Sequence, residues 1–251
     1  MNVLITNDDG INARGLKVLY NFIKQIADRV VIVVPDRERS AVSQSITLHS
    51  PIRMKKIKKD VYTIDGTPTD CVYLTILGAV EFKPDIVISG INKGPNMGED
   101  IVYSGTVAAA IESTFANIPA FSISIDAIAG KIYFETAAEI AKIITEKLYE
   151  NSLPEGIFLN VNVPNLPKDK IKGIKITKLG TRRYLDKLIK RIDPRGNPYF
   201  WLSGDDVIWK QEKNSDYYEV KQGYVSITPL HLDLTAYEFI PEIKKWGINY
   251  G

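Results

Sequence analysis

Short apolar segments alternate with segments of helical periodicity over roughly the first 165 residues, and this alternation constrains the fold more than any other feature. Five apolar segments are rich in β-branched residues and show no polar alternation, which is typical of strands buried in a parallel sheet. The predicted strands span residues 3–6, 30–35, 85–89, 120–125 and 157–163. Helical patterns between them predict right-handed crossovers. We therefore expect an α/β, Rossmann-like fold, with a mostly parallel sheet and helices on both faces.

The sequence pattern changes after Pro164. Residues 171–179, 197–202 and 223–227 are β-prone and are separated by charged turns. We expect C-terminal β-hairpins that project from the sheet and end in a helix near residues 230–237 or in a simple tail. The chain then divides into an α/β core (1–165) and a β-hairpin extension with a C-terminal tail that returns to the core (166–251). Exposed aromatic side chains on such hairpins would favour a subunit interface. These side chains are Tyr184, Tyr199, Phe200 and Trp201.

The composition excludes several classes of protein. With 32 basic and 30 acidic residues, the formal net charge of +2 gives no electrostatic case for binding a nucleic acid polymer or a membrane surface. No apolar run is long enough to span a bilayer, and we expect no secretory signal at the N-terminus. The single cysteine, Cys71, allows no internal disulfide framework and favours a cytoplasmic location. Two histidines are too few for a zinc site of several histidines, so any metal must be held mainly by oxygen.

Two adjacent carboxylates, Asp8 and Asp9, directly follow the first predicted strand. Open α/β sheets bind ligands at the carboxyl ends of their strands, which is where this pair lies. The two like charges repel each other unless a positive charge lies between them, and a divalent metal is the obvious candidate. Alternatively, the sequence Asn-Asp-Asp-Gly forms an ordinary solvated turn.

Polar loops after the second and third predicted strands support the metal interpretation. They contain Ser40, Asn92 and Asn96, and a parallel sheet would bring both loops to the edge that carries Asp8 and Asp9. Carboxylate, hydroxyl and amide oxygens are hard donors, which suit Mg²⁺ or Mn²⁺ better than zinc or copper. Three such loops at one edge of a sheet favour a metal site.

The segment Ser104-Gly105-Thr106 lies immediately before a predicted helix. The first turn of a helix exposes unpaired N–H groups and the positive end of the helix dipole, so it binds anions. The two hydroxyls would add donors, and the glycine would let the backbone approach a phosphate. The alternative is a simple Ser/Thr helix cap. Beside a divalent metal the anion site is the better interpretation, because the two together describe phosphoryl chemistry.

These segments resemble the SurE (survival protein E) family of nucleotidases, and the resemblance covers nearly the whole chain in the same order. One departure is Ser215-Asp216, where the family usually has a Thr-Asp pair. The matching segments are Asn7-Asp8-Asp9-Gly10, Pro35-Asp36-Arg37 to Ser40, Asp65-Gly66-Thr67-Pro68, Ser89-Gly90-Ile91-Asn92 with Asn96, Tyr103-Ser104-Gly105-Thr106-Val107, Asn160-Val161-Asn162-Val163-Pro164, Asp193-Pro194-Arg195-Gly196 and residues 223–230.

The resemblance implies a metal-dependent phosphomonoesterase that hydrolyses nucleoside 5′- (and 3′-) monophosphates, with short-chain polyphosphate as a broader substrate. It implies one Mg²⁺ or Mn²⁺ per subunit and a cytoplasmic homodimer or homotetramer formed through C-terminal elements. Either aspartate could be the base that aligns the attacking water. The implied metal ligands are Asp8, Asp9, Ser40 and Asn92; the implied phosphate-binding residues are Asn96, Ser104, Gly105 and Thr106; the implied catalytic residues are Asp8, Asp9 and Asn96.

Two alternatives come from other functional classes. A nucleotide-binding regulatory protein would hold a metal and a phosphate without hydrolysing the ester. Phosphate release from nucleoside monophosphates, measured with and without a chelator, distinguishes it from an enzyme. An oligomeric scaffold, in which the Asp pair is only a turn, would show no metal dependence.

Overall fold

The computed structural model describes residues 1–127, 129–184, 187–203 and 207–249. The strands are β1 (Asn2–Thr6), β2 (Arg29–Pro35), β3 (Met54–Lys58), β4 (Val61–Ile64), β5 (Ile86–Lys93), β6 (Ala120–Asp126), β7 (Ile157–Pro164), β8 (Ile174–Ile176), β9 (Arg182–Tyr184), β10 (Lys187–Ile192), β11 (Pro198–Ser203), β12 (Val207–Trp209) and β13 (Val225–His231). The helices are α1 (Arg14–Ile23), α2 (Pro68–Ile76), α3 (Gly105–Phe115), α4 (Phe134–Glu150), α5 (Asp216–Lys221) and α6 (Ile240–Lys244), with 3₁₀ turns at Gly98–Val102, Lys168–Lys170 and Tyr237–Phe239.

A nine-stranded sheet with the order β3-β4-β2-β1-β5-β6-β7-β13-β8 forms the centre of the molecule. The strands from β4 to β7 in this order all pair in parallel, whereas β3 is antiparallel to β4 and β13 is antiparallel to β7. The predicted mostly parallel sheet is therefore confirmed. The five predicted strands correspond to β1, β2, β5, β6 and β7, while β3 and β4 were not predicted.

The strand order reverses between β1 and β5. Both β2 and β5 pair in parallel with β1, on opposite sides, so that Val3 lies opposite Val30 in one and Ile86 in the other. The chain runs from β1 outward to β2 and β4, and then crosses back through α2 to β5. The direction of the connections reverses at this point. Open α/β sheets bind ligands at such a switch point, beyond the carboxyl ends of the strands.

Helices cover both faces of the sheet, as predicted. One apolar cluster contains Leu19 of α1 and Ala141 of α4 together with Phe121 of β6. The other cluster contains Val72 of α2 and Val107 of α3. Within the part of the chain that the structure describes, no helix is long and apolar enough to cross a membrane.

The C-terminal region differs from the prediction in two respects. Strands β8 and β13 extend the main sheet and do not belong to a projecting hairpin. The prediction of a helix near residues 230–237 is wrong, because Leu230 continues β13 and pairs with Phe158 of β7. Leu230 also packs against the apolar cluster that contains Phe158. Outside the main sheet, β10 pairs with β11 and β9 with β12, both antiparallel. We call the described residues of β9 to β12 the arm.

Asp70 connects the loop after β2 to the start of α2. Its carboxylate accepts hydrogen bonds from the N–H of Thr67 (2.8 Å), the N–H of Thr47 (2.9 Å) and the hydroxyl of Thr47 (2.6 Å). Thr67 in turn caps the helix, because its hydroxyl oxygen accepts the N–H of Asp70 at 3.1 Å. Asp70 is completely buried, so the carboxylate depends on these donors.

Replacing this carboxylate is expected to destabilise the fold. Asp70→Ala should lower the free energy of unfolding by about 2–3 kcal/mol, because it leaves buried N–H groups of two segments without their acceptor. Urea denaturation measures the change. Asp169→Ala, at an exposed carboxylate, is the control and should change stability by less than about 0.5 kcal/mol. Equal stability of the two variants would contradict this assignment.

Candidate active site

The loop after β1 is a turn fixed by the side chain of Asn7. Its Nδ2 donates to the carbonyl of Gly10 (3.0 Å), and its Oδ1 accepts the N–H of Gly10 (3.1 Å). Asp8 and Asp9 lie within this turn and line a cavity of about 450 Å³. The motif is thus a turn, but the solvated turn considered above is wrong, because Asp8 is only 6% exposed.

The carboxylate of Asp8 is held against the first turn of α3. The hydroxyl of Thr106 donates to its Oδ1 at 2.6 Å. Burial raises the pKa of Asp8 to about 6, although the Thr106 hydrogen bond favours the ionised form and lowers it. The negative charge of Asp9 contributes to the same net rise. The hydrogen bond from Thr106 therefore offsets only part of the cost of burying a negative charge on Asp8.

Asp9 has a similar but more open environment. Burial raises its pKa above the ordinary value, and the charge of Glu38 acts in the same direction. The N–H of Lys93 approaches its Oδ2 at 3.4 Å and lowers the pKa. The raised pKa values of the two neighbouring carboxylates show that negative charge at the switch point is unfavourable without an added cation.

Ser40 reaches the same cavity from the loop after β2, and Asn92 reaches it from within β5, one residue before that strand ends. The N–H of Arg39 donates to the carbonyl of Asp8 at 2.8 Å, which ties the loop after β2 to the β1 turn. Asn92 follows an irregularity in the pairing of β5 with β6. Its Nδ2 donates to the carbonyl of Gly94 at 2.8 Å, so its Oδ1 remains as an acceptor.

The oxygen donors of Asp8, Asp9, Ser40 and Asn92 fit a hard divalent cation. Two partly compensated carboxylates with raised pKa values are the arrangement that a cation relieves. Among the described residues, no group of three or more His, Cys, Asp or Glu side chains could hold a metal, so an ion at this site would need the hydroxyl and amide oxygens beside the two carboxylates. The donor chemistry also suits Mg²⁺ or Mn²⁺ better than zinc.

Asn96 is fixed by buried amides of the neighbouring strands. Its N–H donates to Oδ1 of Asn162 (2.9 Å), and its carbonyl accepts from Nδ2 of both Asn160 and Asn162 (2.8 Å each). Its own Nδ2 donates to the hydroxyl of Ser124 at 2.8 Å. Sequence reasoning missed this function of the two strand asparagines. The available signal was their alternation with valine in an otherwise apolar strand.

The first turn of α3 is built around Asp8. The hydroxyl oxygen of Ser104 accepts the N–H of Val107 at 3.1 Å, so Ser104 is the helix cap that the alternative interpretation described. A Cβ on Gly105 would lie 3.2 Å from the Cβ of Asp8, and glycine therefore permits the close approach of helix and turn. The hydroxyl of Thr106 is already bound to Asp8. Of residues 104–106, only Ser104 lines the cavity.

Comparison with known proteins identifies the family of this chain. The profile of the family described as "Survival protein SurE" matches residues 3–186. This chain belongs to the SurE family. It is 46% identical over 248 residues to "5'-nucleotidase SurE" of Geotalea daltonii, covering 99% of this chain and all of that protein. It is also 46% identical over 246 residues to the protein of the same name from Legionella pneumophila (strain Paris), covering 98% and 96%.

The fold of the SurE family is confirmed by a solved structure. The crystal structure of a SurE protein from Aquifex aeolicus superposes with a TM-score of 0.88 at 44% identity, and the match covers 99% of this chain and 100% of that one. The resemblance stated from the sequence motifs is thus confirmed over nearly the whole chain.

The cavity of this SurE protein also contains residues that the sequence analysis did not single out. Lys93 brings a positive charge, and Tyr103 places a ring that is 61% exposed beside Ser104. Each is adjacent in sequence to a predicted site residue, and this adjacency was the available signal. The additional lining residues are Glu38, Ala41, Lys93, Pro95, Asp100 and Tyr103.

The raised pKa of Asp8 predicts that this carboxyl limits the stability of the metal-free SurE protein. The stability that the protonated Asp8 carboxyl contributes is fully present below its unfolded pKa, near 4. This contribution is lost as pH rises through about 6, where the buried carboxyl must ionise. In chelator at pH 7.5, Asp8→Asn should therefore be more stable than the wild type by about 1–3 kcal/mol, and this gain should shrink toward pH 4. Denaturation at a series of pH values measures it.

Addition of Mn²⁺ should reverse the order, because the ion stabilises only the protein that binds it. Asp36→Asn, at an exposed carboxylate in the neighbouring loop, is the matched control and should follow the wild type. A wild type as stable as Asp8→Asn at pH 7.5 in chelator would contradict the prediction.

Proposed function

We propose that this SurE protein is a divalent-metal-dependent phosphomonoesterase that hydrolyses nucleoside 5′- (and 3′-) monophosphates to nucleoside and phosphate. The observation that carries the proposal is the pair of carboxylates, Asp8 and Asp9, at the switch point of the sheet, with Asp8 held against the first turn of α3. The name 5'-nucleotidase, which the relatives carry, supports the same reaction.

The SurE family is one of metal-dependent enzymes, and we assign one Mg²⁺ or Mn²⁺ to the four oxygen donors. The assigned ligands are Asp8, Asp9, Ser40 and Asn92. When bound, such an ion polarises a phosphate oxygen and lowers the pKa of a water molecule. Thr106 orients Asp8 through its hydroxyl. Asp9 is less buried, and its N–H partner lies at 3.4 Å, so it is the carboxylate with more freedom to accept a proton from the attacking water.

We assign phosphate binding to Asn96 and to the first turn of α3, residues 104–106. Three buried side chains immobilise Asn96, which lines the cavity. The Ser104 oxygen accepts a hydrogen bond as a cap, so its own O–H remains able to donate into the cavity. The dipole of α3 adds positive potential at Gly105 and Thr106. A well-placed donor to the transition state contributes about 3–4 kcal/mol.

Phosphate release from a panel of nucleoside monophosphates tests the proposed reaction. Activity should require Mg²⁺ or Mn²⁺ and should disappear in chelator. Asp8→Asn should lower kcat by at least about 10²-fold, because it removes a charged oxygen donor from the proposed ion. Asp36→Asn should retain wild-type kcat. Full activity in chelator or in Asp8→Asn would contradict the proposal, and nucleotide binding without hydrolysis would favour a regulatory protein.

We also propose that residues 166–251 assemble the chain into a cytoplasmic homodimer or homotetramer around catalytic cores of residues 1–165. Large apolar side chains are exposed on the arm and the C-terminal tail, and water contact makes such a surface costly. Cys71 is a buried free thiol, which is compatible with a reducing compartment. The exposed side chains include Leu188, Ile192, Phe200, Trp201, Leu202, Leu234, Trp246 and Ile248.

Light scattering after size-exclusion chromatography tests the assembly. The wild type should have the mass of a dimer or tetramer, and Leu202→Glu or Trp246→Glu should shift it toward smaller species, because a charge opposes burial of the apolar surface. Leu77→Glu, at an exposed leucine on the surface of the α/β region, is the control and should leave the mass unchanged. A monomeric wild type would exclude the proposed assembly.

A further inference from the structure

The carboxylate of Asp216 joins the arm to one wall of the cavity. Asp216 begins α5 and is completely buried. Its Oδ2 accepts the N–H of Gly98 at 2.8 Å, while its Oδ1 accepts the N–H groups of Gly180 and Tyr217, both at 2.7 Å. Gly98 belongs to the segment after β5, and Gly180 lies two residues before the arm. One side chain therefore connects three distant parts of the chain.

This junction is tightly packed. A Cβ on Gly98, where φ is +53°, would lie 2.6 Å from the carbonyl oxygen of Gly180. A Cβ on Gly180 would lie 2.9 Å from Oδ1 of Asp216. Trp209 of the arm closes the junction by stacking on Tyr217, with ring centroids 4.1 Å apart and an interplanar angle of 4°. The packing leaves little room for the segments to shift independently.

A second connection lies nearby. Arg182 of the arm forms an ion pair with Asp100, which lines the cavity. The N–H of Arg182 donates to Oε2 of Glu99 at 3.0 Å. The 3₁₀ turn Gly98–Val102 is therefore attached to the arm directly through Arg182, and indirectly through Asp216 and the stack of Tyr217 on Trp209.

Residues 96–104, which we call the wall, carry the proposed phosphate-binding side chains at their two ends. The buried asparagines of β7 hold Asn96 at the start of the wall, and Ser104 caps α3 at its end. Asp216 holds Gly98 between them. Asp216 is not among the residues that line the cavity, so direct contact with substrate does not explain its burial.

We propose that Asp216 is a positioning residue, which sets the place of the phosphate-binding wall and couples it to the arm. The inference rests on the proposed phosphomonoesterase function. Its physical basis is that catalytic donors act only within a narrow range of positions, and a misplacement of about 1 Å can lower the rate by about 10²-fold. Asp216→Asn keeps the volume of the side chain but replaces one of its two acceptor oxygens by an NH₂ group, which would face a backbone N–H. The variant therefore tests the hydrogen bonds of Asp216 separately from its packing.

The kinetic test compares Asp216→Asn with the wild type on a nucleoside monophosphate at saturating Mn²⁺. We expect kcat to fall by about 10–100-fold, with a smaller change in KM, because the displaced donors act mainly on charge that develops in the transition state. Mn²⁺ affinity, measured by calorimetry, should stay within about twofold of the wild type, since none of the four assigned ligands is changed.

Asp193→Asn is the matched control. The Asp193 carboxylate also accepts backbone N–H groups, two where Asp216 accepts three: those of Arg195 and Asn197, at 2.8 Å each, in the turn between β10 and β11. It should retain wild-type kcat. Amide hydrogen exchange of the wall supplies a measurement that does not depend on activity. Exchange there should be faster in Asp216→Asn and unchanged in Asp193→Asn.

Gly180→Ala provides a second variant should Asp216→Asn fail to fold, because the added Cβ displaces the Asp216 carboxylate without removing it. It should lower kcat in the same way. An active wild type together with an Asp216→Asn variant of wild-type kcat and unchanged exchange would overturn the inference, as would a parallel loss of Mn²⁺ affinity. A wild type without phosphatase activity would instead refute the proposed function, and exchange in the wall would then decide the inference alone.

Discussion

The burial of the Asp8 carboxylate is the constraint on which the rest of the site depends. An ionised carboxylate loses its hydration on burial and must recover it from hydrogen bonds or from an opposite charge. Thr106 supplies part of this compensation, while Asp9 opposes it. The raised pKa of Asp8 shows that the chain alone compensates the charge incompletely. The buried charge of Asp8 destabilises the metal-free protein. A bound cation would neutralise this charge, so relief of the destabilisation would add to the affinity for the cation. This is the physical reason for placing the proposed metal at the β1 turn.

Backbone hydrogen bonds assemble the site from loops that are far apart in the sequence. The N–H of Arg39 binds the carbonyl of Asp8, and the N–H of Ser43 binds the carbonyl of Tyr103 at 3.1 Å, so the loop after β2 is tied both to the β1 turn and to the entry of α3. Main-chain contacts have few rotatable bonds and hold positions more narrowly than long side chains do. A site of this kind is preorganised, because its ligands need little rearrangement when a cation and a phosphate bind.

The sequence predicted the centre of the fold because strands buried on both faces leave continuous apolar runs. It missed β3 and β4, since β3 is an edge strand rich in lysine and β4 has only four residues. Site residues at strand ends could be predicted for a topological reason, because parallel strands bring their following loops to one edge of the sheet. The functions of Asn162 and Asp216 could not be predicted in this way. Both act through tertiary hydrogen bonds to backbone groups more than 60 residues away, and no local pattern encodes such a partner.

The asparagine pair of β7 and Asp216 are buried polar groups that hold the same short wall at two points, Asn96 and Gly98. Buried polar groups are costly when they lose a partner, so each of these contacts favours one position of the wall over its neighbours. Apolar contacts are not directional, so they specify the position of the wall less sharply than these hydrogen bonds do. The arm, whose apolar side chains are exposed, shares the Asp216 junction. On our proposal, a partner subunit that immobilises the arm therefore also restricts the wall, and assembly and phosphate binding are coupled through a single carboxylate.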